Sequence, residues 1–432
     1  MKFKFKIIFY FLQIYFLNRF KSRRELEKFQ KRKIDKFAKK ALSKSTYYNK
    51  FFQGKIYNWG LVPQISKDEF MDNFEDINIA HIAKENAMQV ALNAEITRNF
   101  KSEIKGFTVG LSTGTSGKRG LFLISENERA KWVALIMNRV LRPQPFKKQK
   151  VAFFLRANSN LYTSVQSAFF QFKYFDIFRP ISELLGELNE YKPGIVAAQP
   201  SILVEICRAL IDKRISILPN QIISFAEVLH ENDKILFENS FKIKISEVYQ
   251  CMEGFLGATC ALGVMHLNED FIMFEKEWLD QEHFYPIITD FSRYSQPLVK
   301  YKLTDILKIK NTPCKCGSQN LAIEKIIGRN DDILIFNNIK IYPDLIARRI
   351  AQITNAFQRY TIVQVSEKKL EIAIESEEIY FESLKKEFRI ALNSILEPYC
   401  INNIDYFFTN KIEFVPSNKT RKIKRLICEN NI

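Results

Sequence analysis

The chain has 432 residues, a hydrophobic fraction of 47%, an aromatic fraction of 13% and a formal net charge of +17. That length suits two or three domains rather than one small one, and the apolar content excludes a disordered chain. Seven cysteines at irregular spacing exclude a secreted disulfide framework and point to a reducing, cytoplasmic setting.

The charge is concentrated at the start. Residues 1–50 carry 16 Lys/Arg against three Asp/Glu, which leaves +13 in that segment and the remainder close to neutral. A basic opening, residues 1–6, runs into an apolar stretch at 7–17, shorter than the ~20 residues of a spanning helix. Asn18, Arg19, Phe20 and Lys21 follow where a signal peptide would need small residues. A basic, aromatic helix of this kind suits two settings: peripheral contact with an anionic membrane, at the inner surface, or amphipathic packing on the body with solvated lysines. No motif supports specific nucleic-acid recognition, for which charge alone is weak evidence. The helical N-terminal segment is expected to end near Ser45–Tyr48, closing a first region at 1–50.

The next landmark is Leu111-Ser112-Thr113-Gly114-Thr115-Ser116-Gly117-Lys118-Arg119-Gly120. Four hydroxyl side chains, three glycines and a lysine fall within ten residues. Glycines let backbone N–H groups converge on a ligand, and the hydroxyls and lysine add donors and charge, a combination suited to a polyphosphate. It is not a P-loop, because Ser112 stands where that pattern needs glycine and Arg119 where it needs Ser or Thr. The plain alternative is a flexible surface loop.

Ser125-Glu126-Asn127-Glu128 reads as a capping box opening a helix that runs to about Arg142, where Pro143 and Pro145 stop it. Beyond it, apolar runs at 151–155, 194–198, 222–225 and 243–248 read as buried strands. Residues 201–213 and 231–241 read as the helices between them. That alternation predicts an α/β core with a parallel sheet. Strands at 271–275 and 286–290 suggest a β-rich subdomain. At Gly328-Arg329-Asn330-Asp331-Asp332 the character changes. A small α+β domain is expected over 331–432, with helices at 344–352 and 378–395 and strands at 361–365, 370–374 and 404–408. The large domain then spans 51–330.

Five clusters follow the glycine loop in order: Ser224-Phe225-Ala226-Glu227, Tyr249-Gln250-Cys251-Met252-Glu253-Gly254, Pro297 to Asp305 ending in Leu303-Thr304-Asp305, Gly328 to Asp332, and Lys419-Thr420-Arg421-Lys422-Ile423-Lys424. Each alone has a dull explanation, such as a solvated carboxylate or a basic tail. Their joint order resembles the adenylate-forming (AMP-forming) enzyme superfamily over nearly the whole chain. The likeness is to the phenylacetate–coenzyme A ligase branch, and within it to proteins related to the synthetase that adenylylates a deazaflavin coenzyme.

The resemblance implies a large ATP-binding domain and a small, mobile C-terminal domain. It implies that Ser112, Thr113, Gly114, Thr115, Ser116, Gly117 and Lys118 cover the ATP phosphates, and that Glu227, Tyr249 and Gln250 bracket the adenine. Glu253 would hold Mg²⁺, Asp305 the ribose hydroxyls, and Arg329 would lie near the nucleotide. Asp331 would be the hinge and Lys422 the catalytic lysine at the α-phosphate. Departures from the family pattern are Met252 in place of a common Thr, Thr304 in place of Gly, and Arg421 in place of the Gly before the lysine. Lys419 and Lys424 lie close enough to compete for the role of Lys422.

A metal cluster is also legible. Cys314-Lys315-Cys316-Gly317 places two thiols on a tight knuckle, and Cys260 and His266 follow the Glu253 motif. Three thiolates and an imidazole make a closed tetrahedral set, which predicts a structural Zn²⁺; relatives in the family carry a similar set in corresponding places. Cys207, Cys251, Cys400 and Cys428 read as ordinary thiols, and His81, His230 and His283 have no comparable setting.

Three functions remain open from the sequence. One is ATP-dependent adenylation of a small-molecule carboxylic acid followed by transfer to a thiol such as coenzyme A. The second is adenylyl transfer to a hydroxyl group. The third is a zinc-containing membrane-surface scaffold without catalysis. A substrate pocket is expected from 156–162 and 225–229, and an oligomer is possible. Such relatives are often associated with cell-surface polysaccharide assembly, which hints at an acyl group destined for a sugar.

Overall fold

The computed structural model describes residues 2–97, 102–111, 120–141, 148–155, 170–177, 179–229, 231–329, 333–337, 339–350, 353, 357, 359–410 and 421–426. Among the described residues the chain divides into two compact units: one runs to Lys325 without Thr304–Leu307, and the other takes that short segment and the chain from Ile326 onward.

The first unit opens with α1 (Lys2–Leu17) and α2 (Arg23–Lys40). A three-stranded antiparallel sheet follows, β1 (Glu103–Ile104), β2 (Phe107–Leu111) and β3 (Leu121–Ser125). β3 feeds α3 (Glu126–Ile136) through the expected capping box. Glu128 N–H donates to Ser125 Oγ at 3.4 Å and Ser125 N–H donates to Glu128 Oε2 at 2.6 Å. The helix goes on as a π-helical turn, Met137–Leu141, and the expected end at Arg142 lies outside the described residues. Ile7 and Ile14 of α1 are buried against α3, with Phe3, Tyr10 and Phe11 beside them. The two buried isoleucines contribute about 1.5–3 kcal/mol each toward docking this basic helix on the body.

The large sheet comes next. Its strands are β4 (Gln149–Leu155), β5 (Phe170–Asp176), β6 (Ile195–Ala198), β7 (Gln221–Ser224), β8 (Ile245–Cys251), β9 (Gly254–Thr259), β10 (Met265–Leu267), β11 (Ile272–Trp278), β12 (His283–Asp290), β13 (Leu298–Lys302), β14 (Asp305–Ile309) and β15 (Ala322–Arg329). Neighbours run β11-β12-β14-β15-β10-β9-β8-β7-β6-β4-β5, with β13 paired to β12. From β5 to β8 every pairing is parallel. Helices α4 (Ile181–Tyr191), α5 (Pro200–Ile211) and α6 (Glu231–Phe241) make crossovers. The four residues of β6 are all buried, as expected for a strand covered on both faces. At β8 the direction reverses through the tight turn to β9, and the sheet continues as the antiparallel, β-rich part. The expected parallel core and β-rich part are therefore one continuous sheet.

In the second unit, β16 (Leu334–Phe336) and β17 (Ile339–Ile341) form a hairpin before α7 (Pro343–Ile350). A four-stranded sheet then takes β18 (Arg359–Ser366), β19 (Lys369–Glu375), β20 (Asp405–Thr409) and β21 (Arg421–Leu426) in the order β20-β19-β18-β21. The long helix α8 (Glu378–Leu396) buries Leu384, Phe388 and Leu392 against that sheet.

Candidate active site and a cysteine–histidine cluster

Parallel strands end on one edge, and in open α/β sheets that edge is where ligands bind. Three of the residues expected from the sequence sit there. Glu227 lies just past β7, and its carboxylate accepts the N–H of Ser201 at 3.2 Å and its hydroxyl at 3.0 Å. Ser201 is in the first turn of α5, so the carboxylate also meets the positive end of that helix. The preceding Ala226 has φ of +67°, a conformation non-glycine residues hold only when their surroundings enforce it. Phe225 stacks on Phe153 of β4, with ring centroids 5.1 Å apart.

Tyr249 and Gln250 are on β8, the tyrosine buried and the glutamine half-buried, with a register shift between them. Cys251 pairs with Gly254, so Met252 and Glu253 are the two-residue tip of the β8–β9 hairpin. Gly254, at φ +152°, closes that turn.

The hairpin tip is fixed by Tyr301, which lies in the Pro297–Asp305 cluster but had no role assigned from sequence, and by Arg293, which the sequence did not single out. Tyr301 O–H donates to Glu253 Oε1 at 2.7 Å. Burial, and then the Glu253 carboxylate itself, push the Tyr301 phenol far above its usual pKa, so it remains a donor. Arg293 donates to the carbonyl of Glu253 at 3.2 Å and to that of Met252 at 3.5 Å. The same guanidinium also donates to Gln296 Oε1, which accepts the N–H of Leu123 on β3 at 3.1 Å. Arg293 is buried, and burial pulls its pKa below the usual guanidinium value, which the charges of Asp290, Glu128 and Glu253 compensate only in part.

One chain of hydrogen bonds thus joins the Glu253 turn to the strand that leaves the glycine loop. Glu128 doubles as capping residue and acceptor for the N–H groups of Tyr294 and Ser295. The charged Arg in Ser292-Arg293-Tyr294, between apolar strands, was the available signal. Close packing adds a second link: a Cβ on Gly120 would collide with the Met252 thioether.

Asp305 begins β14 and is mostly buried, and Arg329 ends β15 with its Nε 3.6 Å from Asp305 Oδ1. Lys422 is on β21 opposite Val363, and Lys424 opposite Thr361. Ser112 to Lys118, Asp331, Lys419 and 156–162 lie outside the described residues. What the structure brings together at the strand edge is therefore Glu227, Gln250 and Glu253.

Cys260, His266, Cys314 and Cys316 also converge. Their ligand atoms all lie within 4.8 Å of one another. Cys260 Sγ is 3.9 Å from Cys314 Sγ, and Cys316 Sγ is 3.3 Å from His266 Nε2. His266 is buried, and its Nδ1 is 3.1 Å from the carbonyl oxygen of Asn320. A carbonyl only accepts, so Nδ1 carries the hydrogen and the Nε2 lone pair faces the thiols. Both thiol segments are built alike. In Cys260-Ala261-Leu262-Gly263 and Cys314-Lys315-Cys316-Gly317, the glycine N–H returns to the cysteine carbonyl and the glycine φ is +79°. That repeated C-x-x-G spacing was a readable sign of two metal knuckles.

No family model matches the chain. Protein CapK of Staphylococcus aureus is 23% identical over 350 residues, 74% of this chain and 71% of that protein. Phenylacetate-coenzyme A ligase of Thermus thermophilus is 27% identical over 104 residues, 23% of each chain. Among solved structures, 2-hydroxyisobutyryl-CoA ligase in the postadenylation state superposes with a TM-score of 0.64 at 16% identity, over 92% of this chain and 88% of that one. The chain has the fold of the adenylate-forming, AMP-forming ligases.

Proposed function

We propose that the protein is an AMP-forming ligase that activates a carboxylic acid with ATP and passes the acyl group to a thiol such as that of coenzyme A. The observation that carries this reading is the placement of Glu227, Gln250 and Glu253 along the carboxyl edge of the parallel strands, with the Glu253 turn held by Tyr301 and Arg293.

In the first step a substrate carboxylate oxygen attacks the α-phosphorus, the bond to the bridging oxygen breaks, and pyrophosphate leaves. The product is an acyl-adenylate. In the second, a thiol sulfur attacks the acyl carbon, AMP leaves with the bonding pair, and the thiol proton goes to solvent. Neither step needs a covalent enzyme intermediate, so the protein's part is positioning and charge compensation. Glu227 and Gln250 offer acceptor and donor groups to the adenine, Asp305 a carboxylate to the ribose diol, and Lys422 a cation to the α-phosphate. The resemblance assigns Ser112 to Lys118 to the β- and γ-phosphates. Glu253 fits a Mg²⁺ ligand, since a carboxylate that accepts one hydrogen bond from Tyr301 keeps further lone pairs. Magnesium there supplies compensation for the leaving pyrophosphate.

The four-residue cluster fits Zn²⁺. Tetrahedral Zn–S and Zn–N bonds of about 2.3 and 2.0 Å put sulfurs ~3.8 Å apart and sulfur ~3.5 Å from nitrogen. The observed 3.9 and 3.3 Å lie close to those values. With four protein ligands the site is closed, so its contribution is to stability.

A screen of carboxylic acids, scored for pyrophosphate release and then for thiol-dependent AMP release, tests the reading. One acid should give both. AMP transfer from ATP to a hydroxyl compound, with neither acid nor thiol required, would instead put a hydroxyl oxygen in the carboxylate's place at the α-phosphorus, with no second step. Lys422→Ala should lose adenylation and keep thioester formation from supplied acyl-adenylate; equal loss of both contradicts its assignment.

A further inference from the structure

α1 has two apolar faces. The inner one, Ile7 and Ile14 with Phe3, Tyr10 and Phe11, packs on α3 and the sheet. The outer one is Phe5, Ile8, Phe9, Leu12 and Phe16, at helical spacings of three and four residues. Phe5, Phe9 and Phe16 are each 64% exposed. The helix is held by polar contacts as well. Lys6 pairs with Glu126 at 2.8 Å, Tyr10 O–H donates to Asn127 at 2.9 Å, and Asn18 donates to the buried Asp270 at 2.8 Å. Arg23 of α2 grips the buried Glu269 through both guanidinium nitrogens. An apolar stripe this wide, on a helix pinned so firmly, is a fixed surface of the folded protein rather than a frayed end.

We propose that the outer face of α1 docks on an anionic lipid surface, lying in the plane of the interface. Charge selects this occupant. Segment 1–50 carries +13, and Lys4 on α1 and Arg19 and Lys21 just past its end are exposed. A basic surface beside an apolar helix face is attracted to anionic headgroups while the aromatic side chains enter the acyl boundary. A second copy on the same face would bring +13 against +13, which opposes self-association. Among the described residues, no helix is long and apolar enough to cross a membrane, so the contact is peripheral. The two settings left open by the sequence are the two sides of one helix.

The test is sedimentation of the full-length protein with phosphatidylcholine vesicles, with and without phosphatidylglycerol. Wild type should bind the mixed vesicles, bind the neutral ones at least about tenfold more weakly, and be released by salt. Phe9→Glu/Leu12→Glu should lower binding by about tenfold or more at an unchanged melting temperature. Phe9→Ser/Leu12→Ser, which adds no negative charge, should also lower it. Full binding by the serine variant overturns the proposal. So does equal binding to both vesicles, or a wild-type dimer in light scattering that the serine variant abolishes. Acid activation in solution is read separately, so a failure here leaves the ligase reading standing.

Discussion

The two ends of β9 are held by opposite chemistry. At one end Glu253 sits on a hairpin tip fixed by Tyr301 and Arg293, with a carboxylate that still has lone pairs to offer. At the other, just past Thr259, Cys260 joins His266, Cys314 and Cys316 in a set where all four ligand atoms face one another. Six residues separate an open, hydrogen-bonded acid from a closed cluster of soft ligands. Closed sets of thiolate and imidazole serve structure, whereas a carboxylate with spare lone pairs serves a ligand that must come and go. Function and stability should therefore separate along this one strand.

The largest separation should come from Glu253→Ala. We expect pyrophosphate release to fall by about 10²–10³-fold, the usual loss for a group that compensates transition-state charge. Stability should fall only by the about 1–3 kcal/mol of leaving the buried Tyr301 hydroxyl unpaired, because the turn itself is held by Arg293 through backbone carbonyls. A large fall in stability with little loss of activity would reverse the comparison. At the other end, Cys314→Ser should release metal, read by elemental analysis, and lower stability by about 3 kcal/mol in denaturant titration. Its residual folded fraction should still carry out adenylation. Chelation of the wild type should reproduce that loss, and a chelator-insensitive melt would leave four ordinary side chains.

A smaller effect tests the link between the turn and the glycine loop. Gly120→Ala should cost about 1 kcal/mol, the low end of overpacking, because the Met252 thioether it meets is the far end of a half-buried, flexible side chain. Met252→Ala should relieve it in the double variant, and simple additivity of the two changes would show that the contact is unimportant. Tyr301→Phe should be comparably small, about 1 kcal/mol for one hydrogen bond, seen as a raised magnesium requirement rather than a lower maximal rate.

The parallel core was legible because β4, β6 and β7 are short apolar runs bounded by helix signals, and α6 begins and ends where its pattern does. The convergence of Cys260, His266, Cys314 and Cys316 was legible because their spacing serves ligation better than packing. Other features were not, because their partners are far apart in sequence. Arg293 reaches the Glu253 turn across 40 residues and Gln296 reaches Leu123 across 173. Nothing in Ser292-Arg293-Tyr294 alone names those acceptors. Residues 421–426 stand out in the sequence for Lys422 but give no strand signal, yet they form an antiparallel strand against β18, where cross-strand pairing overrides composition. The two-sided apolar character of α1 was visible only as length and hydrophobicity, and burial alone divides its faces.

Acid-dependent exchange of labelled pyrophosphate into ATP, measured on the wild type and on Glu253→Ala, bears most directly on the central claim. The account predicts exchange that requires one class of carboxylic acid and magnesium, and that falls by about 10²–10³-fold in the variant. Exchange that proceeds equally well in Glu253→Ala, or that no carboxylic acid elicits from folded wild type, would contradict it.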